Sequence, residues 1–225
     1  MVSWVVVRFV FRYSGVQTSM SLEEEFTNNR PSQVLRHYYV AVGTEGQKLP
    51  TLGNLLHALD VQKPDLSMIL VCSSRDTLDE LASTLSKLKY DCDVLHSDMH
   101  SGWRKSVLDK FNESRGPPGG DRNDAESPQQ SKMKILVSSD VCLPKPSAES
   151  ELKRNVTMLI NYDIPTKKEQ HMKRVSCISG SKGIFIHFLV ANEVGMLKPL
   201  ETFTSQTIEE MPLVLSDIFQ GFDAN

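Results

Sequence analysis

Cysteine is scarce in this chain of 225 residues, and Cys72, Cys92, Cys142 and Cys177 follow no framework spacing. That excludes a small secreted fold stapled by disulfides and reads as reduced, buried thiols of an intracellular protein. Long apolar runs are lacking too, and none approaches the roughly 20 residues that a membrane-spanning helix needs. The pattern G-x-x-x-x-G-K-[ST] occurs nowhere, so the chain has no phosphate loop of that kind. Charge of either sign is not in large excess. A net charge of -3 gives no global pull toward nucleic acid or anionic membrane, so any basic surface is local.

What is present is ordinary globular material, 40% hydrophobic and 24% charged, and long enough for one large domain. The opening stretch "MVSWVVVRFVFRYSGVQTSM" carries Arg8 and Arg12 and no acid before Glu23. It reads either as a β-rich arm or as an organelle transit segment, plastid or mitochondrial; without it the expected place is the cytoplasm. Residues 1–33 are taken as this arm.

From Val34 the chain alternates short apolar runs with amphipathic segments. "VLRHYYVAV", "SMILVC", "CDVLH", "MKILVSSD", "NVTMLINYD" and "GIFIHFLV" are strand candidates. "KLPTLGNLLHALD" lines up Leu49, Leu52, Leu55, Leu56 and Leu59. "DTLDELASTLSKLK" lines up Leu78, Leu81, Leu85 and Leu88. "SGWRKSVLDKF" does so with Trp103, Val107, Leu108 and Phe111. Thr166 and Glu169 form a capping-box pattern that starts a further helix in "TKKEQHMKRV". Pro199 weakens a last helix, "NEVGMLKPLETF", unless it kinks there. Residues 113–132, rich in Gly, Pro, Ser, Asp and Gln, read as a disordered insertion, and 221–225 as a tail. The expectation is an α/β fold: one domain, residues 34–112 and 133–220, with a parallel sheet covered by helices on both faces. Such sheets hold ligands at the carboxyl ends of their strands.

At those strand ends the sequence resembles the C-terminal RecA-like domain of DEAD-box ATP-dependent RNA helicases, from about Val34 to Phe219. "ILVCSSR" resembles the family's strand followed by Cys-Asn-Thr and a basic residue. "VLHSDM" resembles His-Gly-Asp-Met, "ILVSSDV" resembles Ser-Thr-Asp-Val, and "LINYDIP" is nearly the family's wording. "TIEEMP" resembles the closing stretch. The resemblance implies two jobs for such a domain, gripping RNA phosphates and lending arginines to a γ-phosphate.

For the first job it implies Ser74, Arg75, Arg104 and Ser139 as RNA-binding candidates. Small hydroxyls and arginines at strand ends hold phosphate oxygens without reading bases. The alternative is local: a serine there caps the following helix, and Arg104 pairs with a nearby acid. For the second job the motifs are mostly replaced. By position Pro144, Lys145 and Ser147 stand for an arginine, a glycine and an aspartate. In "KRVSCISGSKG" Lys173 replaces a histidine, Ser176 a glycine and Cys177 the middle arginine, with Ser179 or Ser181 near the place of the last. Arg174 is the one arginine of that motif retained and the candidate catalytic residue. The partner domain's phosphate loop and Asp-Glu-Ala-Asp box are absent from the sequence. The resemblance therefore implies no cofactor for this chain alone, and ATP with Mg²⁺ only if it pairs with an N-terminal helicase domain.

Lys167, Lys168, Lys173, Arg174 and Lys182 make a candidate basic patch, against the plainer reading of a solvated helix face. Cys92, His96 and His100 at intervals of four hint at a metal, but positions four apart on a strand lie about 13 Å apart, so no metal site is expected. Cys177 beside Lys173 and Arg174 raises a nucleophile, without a matching acid or oxyanion element. The functional expectation is a helicase-derived RNA-binding or RNA-remodelling module, its partners being sequence-nonspecific RNA and no membrane. Two alternatives stand beside it: a protein-interaction scaffold, and a truncated product of an active helicase that works with a separate helicase half.

Overall fold

Continuous apolar runs become the strands of one sheet because both faces of that sheet are covered. The computed structural model describes residues 34–113, 133–144, 152, 155–179 and 181–221; the expected N-terminal arm, the insertion beyond Glu113 and all of the tail but Gly221 lie outside them. The strands are β1 (Val34–Val42), β2 (Ser67–Cys72), β3 (Asp91–Leu95), β4 (Lys134–Ser139), β5 (Met158–Asn161), β6 (Lys182–Val190) and β7 (Glu209–Glu210). They lie in the order β3-β4-β2-β5-β6-β1-β7 and every pairing is parallel. The doubly covered α/β architecture is as the alternation of elements predicts. The seventh strand is an addition: "EE" in "TIEEMP" is too short and too polar to read as a strand, and it exists by pairing with Tyr38 and Tyr39.

Side chains of period two divide between two cores. On one face Met68, Leu70, Cys72, Ile135, Val137, Met158, Ile160, Ile184, Ile186 and Phe188 meet α1 (Glu45–Gln62) and α2 (Arg75–Lys87). On the other Ile69, Val71, Leu136, Leu159 and Phe185 meet α3 (Ser101–Asn112) and the residues that end α4 (Lys168–Val175). The expected stripes supply the buried Leu52, Leu55, Leu56 and Leu59 of α1 and Leu78, Leu81 and Leu85 of α2. Two stripe members fail. Leu88, 48% exposed, has left the helix as its C-terminal cap. Trp103, 50% exposed, stands in the first turn of α3, where the sheet no longer covers that side.

Two further expectations are corrected. Thr166 does not cap α4 and Glu169 does not answer it. Gln170 does, its Oε1 accepting from the backbone N–H groups of Thr166 (3.0 Å) and Lys167 (3.2 Å), so the reach-back comes one residue later. Pro199 does not kink a long helix. A 3-10 helix (Ala191–Met196) precedes α5 (Leu197–Thr204), which puts Pro199 in the first turn, where a missing N–H breaks no bond.

Gly183 near the start of β6 leaves no room for a side chain. A Cβ there would lie 2.7 Å from Ile178 Cγ2 and 3.0 Å from Leu35 Cδ2. The Ile178 methyl sits on a branched carbon and has little freedom to retreat. Gly183→Ala is expected to lose about 1–3 kcal/mol by overpacking; a urea-unfolding midpoint unchanged from the parent protein would refute this close approach.

Candidate nucleic-acid interface

Parallel strands open their carboxyl ends on one edge, and the expected RNA-facing residues lie along it. Register sets Cys72 of β2 beside Ser139 of β4. Ser74, two residues past β2, is exposed and caps α2: its Oγ accepts the Thr77 N–H at 3.0 Å and lies 2.7 Å from Thr77 Oγ1. Arg75 follows, exposed, with Nε on the Asp79 carboxylate (2.9 Å) and a terminal nitrogen on Asp98 (3.0 Å). Arg104, half-buried in the first turn of α3, donates to the Cys142 carbonyl at 2.7 Å and so ties α3 to the turn after β4. Ser139 is half-buried and leads into that turn. The structure thus gathers all four residues at one edge. It also engages Ser74, Arg75 and Arg104 locally, as the plainer reading anticipated.

Arg174 is elsewhere. Its side chain is fully buried. Nε and one terminal nitrogen grip the two oxygens of Asp140, both at 2.7 Å. The other terminal nitrogen donates to Asn161 Oδ1 and to the Asp163 carbonyl, also at 2.7 Å. Lys173 Nζ donates to the Asp140 carbonyl. The fork therefore joins α4 to the ends of β4 and β5 and points no donor at solvent. In this arrangement Arg174 braces the site from beneath.

One order of protons runs outward from this arginine. A guanidinium only donates, so Asn161 turns its oxygen toward Arg174 and its amide nitrogen toward His187 Nδ1, at 2.8 Å. His187 must then carry its proton on Nε2 and donate it to His37 Nδ1, at 3.2 Å. His171 completes the group, its ring centroid 5.7 Å from that of His37, and its Nδ1 is buried without a hydrogen-bond partner. Burial first, then the neighbouring cation-forming rings, hold His187 well below its ordinary range and push His37 down to about 3; burial and then Arg174 push His171 down to about 4.

A second buried cation stands near the same edge. Lys48 of α1 is 1% exposed and lies 3.2 Å from Glu45, 3.5 Å from Glu193 and 3.7 Å from Asp163, over the Tyr162 ring. Asp163 also accepts the Ser73 N–H at 2.7 Å. The carboxyl ends of β2 and β5 are thus held from α1 as well as from α4.

These partners escaped the sequence reading. "LRHYY" and "IFIHFLV" did hold a signal, because a histidine inside an apolar strand needs a polar neighbour. Nothing local announced that the neighbours would be each other. The basic patch does not assemble: Lys167 and Lys168 are exposed, Arg174 is buried, and Lys182 binds the Gly221 carbonyl. Cys177 is 2% exposed with Sγ 3.5 Å from the Lys173 carbonyl and 3.8 Å from that of Pro144, a packed thiol. His100 caps α3 by accepting the Trp103 backbone N–H at 3.2 Å, and His96 stands perpendicular to the Trp103 ring. Lys145 and Ser147 lie outside the described residues. No helix among the described residues is long and apolar enough to cross a membrane.

Comparison with known proteins identifies the architecture. Residues 47–176 match the helicase conserved C-terminal domain. The chain is similar to ATP-dependent RNA helicase eIF4A of Aspergillus niger, 26% identical over 186 residues, which is 82% of this chain and 40% of that protein. It therefore spans less than half the length of the curated relatives it matches. Its fold is that of the E. coli DEAD-box protein SrmB, solved bound to regulator of ribonuclease activity A (TM-score 0.61, 19% identity, 83% of this chain and 94% of that one). It is likewise similar to S. cerevisiae Dbp5 solved with RNA and ADP BeF3 (TM-score 0.57, 21% identity, 80% of this chain and 41% of that one). The sheet with its helices is thus the RecA-like fold of DEAD-box C-terminal domains.

Two outcomes follow from the buried groups. Arg174→Ala leaves the Asp140 carboxylate unpaired and is expected to cost about 3–5 kcal/mol, with Arg174→Lys recovering little because an ammonium lacks the fork. A loss under about 1 kcal/mol in urea unfolding, small for a buried pair, would sink the bracing role. The histidines set a pH dependence. Each is neutral when folded, while the unfolded chain takes up protons below the ordinary value of 6.5, so their contribution is full above that pH and is lost as pH falls toward about 4 for His171 and about 3 for His37. His171→Phe is expected to flatten the decline between pH 6.5 and 4, by up to ~1.4 kcal/mol per pH unit. Parallel stability profiles for variant and parent would contradict this.

Proposed function

The chain belongs to the helicase conserved C-terminal domain family, and on that premise we propose that it is a helicase-derived module that holds RNA by its phosphates and does not hydrolyse ATP by itself. The observation that carries the RNA reading is the register of β2 and β4. It opens two hydroxyl-bearing strand ends, Ser74 and Ser139, on the same edge, with Arg75 and Arg104 beside them. Hydroxyls and guanidinium groups on a rigid edge suit phosphate oxygens and carry no base preference. Arg75 keeps donor groups beyond those used by Asp79 and Asp98, since a guanidinium has five. S. cerevisiae Dbp5, of the same fold, has been solved with RNA.

The silence toward ATP is supported by what stands where arginines would be needed. Cys177 is packed against backbone carbonyls, Arg174 has its fork spent on Asp140, Asn161 and Asp163, and the sequence has no phosphate loop. An arginine finger acts through a planar charged fork that neither cysteine nor serine supplies. These residues do not make a γ-phosphate site, and ATP with Mg²⁺ would enter only through a separate N-terminal helicase domain. A protein-binding scaffold is the second reading, favoured by the local engagement of Ser74, Arg75 and Arg104.

Fluorescence anisotropy of a labelled single-stranded RNA across a salt series decides between them. The expected result is binding in the range of about 1–100 micromolar that weakens steeply with salt, with Arg104→Ala lowering the logarithmic salt slope by about 0.7, one phosphate contact on a single strand. No binding at low salt, or a slope that Arg104→Ala leaves untouched, would overturn the phosphate grip and turn attention to protein partners.

A further inference from the structure

Among the described residues, Trp103 is the large aromatic that the fold leaves half uncovered. Its indole is 50% exposed and joins neither hydrophobic core. The ring is nevertheless not loose. The backbone N–H of Trp103 donates to His100 Nδ1 and so caps α3, and the ring has a neighbour of its own. The His96 ring, its side chain 12% exposed, stands at 90° to the indole with centroids 5.6 Å apart. The neighbour is perpendicular, not stacked, and half of the residue's surface remains exposed for a planar ligand to meet.

The surroundings indicate which ligand. Trp103 lies at the carboxyl edge of the sheet, one residue before Arg104 and two before the exposed Lys105. Arg104 holds the turn after β4 against this same helix end through the Cys142 carbonyl, which brings exposed Val141 to that edge. In the loop before α3, Arg75 is anchored by Asp98. An open aromatic face next to guanidinium groups and strand-end hydroxyls is the composition of a surface that stacks a base while it holds the adjoining phosphates.

We propose that Trp103 is a stacking platform for one unpaired nucleobase of single-stranded RNA, a base contact added to the phosphate grip. The inference rests on the RNA reading above and deepens it. It makes binding depend on the presence of a base without choosing among bases, since every base has a π-face. His96 acts as the positioning residue that keeps the indole upright.

The test uses the full chain with Trp4→Phe, so that Trp103 is the sole tryptophan reporter. It is titrated with an oligouridylate and with an abasic oligomer of equal length and charge. The expected result is quenching of Trp103 emission by the uridylate alone, with affinity for it roughly tenfold above that for the abasic chain. Trp103→Phe is expected to keep most of that preference, and Trp103→Ala to bind the uridylate no better than the abasic oligomer. Equal affinity of the unsubstituted indole for both oligomers would overturn the platform while leaving the phosphate grip standing. Binding of neither oligomer would remove the RNA reading and the platform with it.

Discussion

A buried guanidinium is the constraint on which the carboxyl edge of this domain depends. Arg174 is taken wholly out of water, and an arginine there is tolerable only if its donors are met. Asp140 supplies the opposite charge in the matching planar geometry, and Asn161 and the Asp163 carbonyl take the remaining donors. The partners end two runs of chain: Asp140 follows β4, Asn161 closes β5, and Asp163 lies two residues on. The requirement to satisfy one side chain thus fixes the relative position of two strand ends and a helix. It also sets the direction of every proton from Asn161 to His187 to His37. The serines at the edge, exposed Arg75 and half-buried Arg104 stand around this frame.

The frame separates two jobs that sequence alone runs together. In a motif of several arginines each looks alike on the page. Here the retained one faces inward, and Cys177, at the place of another, is packed against the Lys173 and Pro144 carbonyls. On the proposed reading, the arginine kept is the one whose loss would cost the fold, and Cys177 has become ordinary interior.

The fold was legible because its signals are local. Runs such as "SMILVC" and "MKILVSSD" announce strands buried on both faces, and the leucines of "LGNLLHALD" announce a covered helix; the structure keeps these. The errors arise where a segment meets something distant. Trp103 and Leu88 continue a helical stripe past the point where the sheet still covers it. Glu169 fits a capping pattern that Gln170 fills instead, the same residue whose amide nitrogen lies 3.4 Å from Asp140. The site was half legible: its edge followed from parallel topology, but the partners of Arg174 and the pairing of His37 with His187 join residues far apart in the chain, where no periodicity reaches. Strand β7 was illegible for the same reason, since its pairing with β1 supplies what its two glutamates lack in propensity.

The sheet order also bears on when the domain can form. β1 is the first described strand to be made, yet its neighbours are β6 and β7, and Val34 pairs with Lys182. At the roughly 5–20 residues per second of synthesis, β1 waits on the order of ten seconds or more for any partner. During that wait "VLRHYYVAV" presents two unpaired edges and an apolar face to its surroundings. The ribosome-bound chain is therefore exposed to mispairing at this strand, and His37, which needs His187 to receive its hydrogen bond, gains that partner only after a further 150 residues are made.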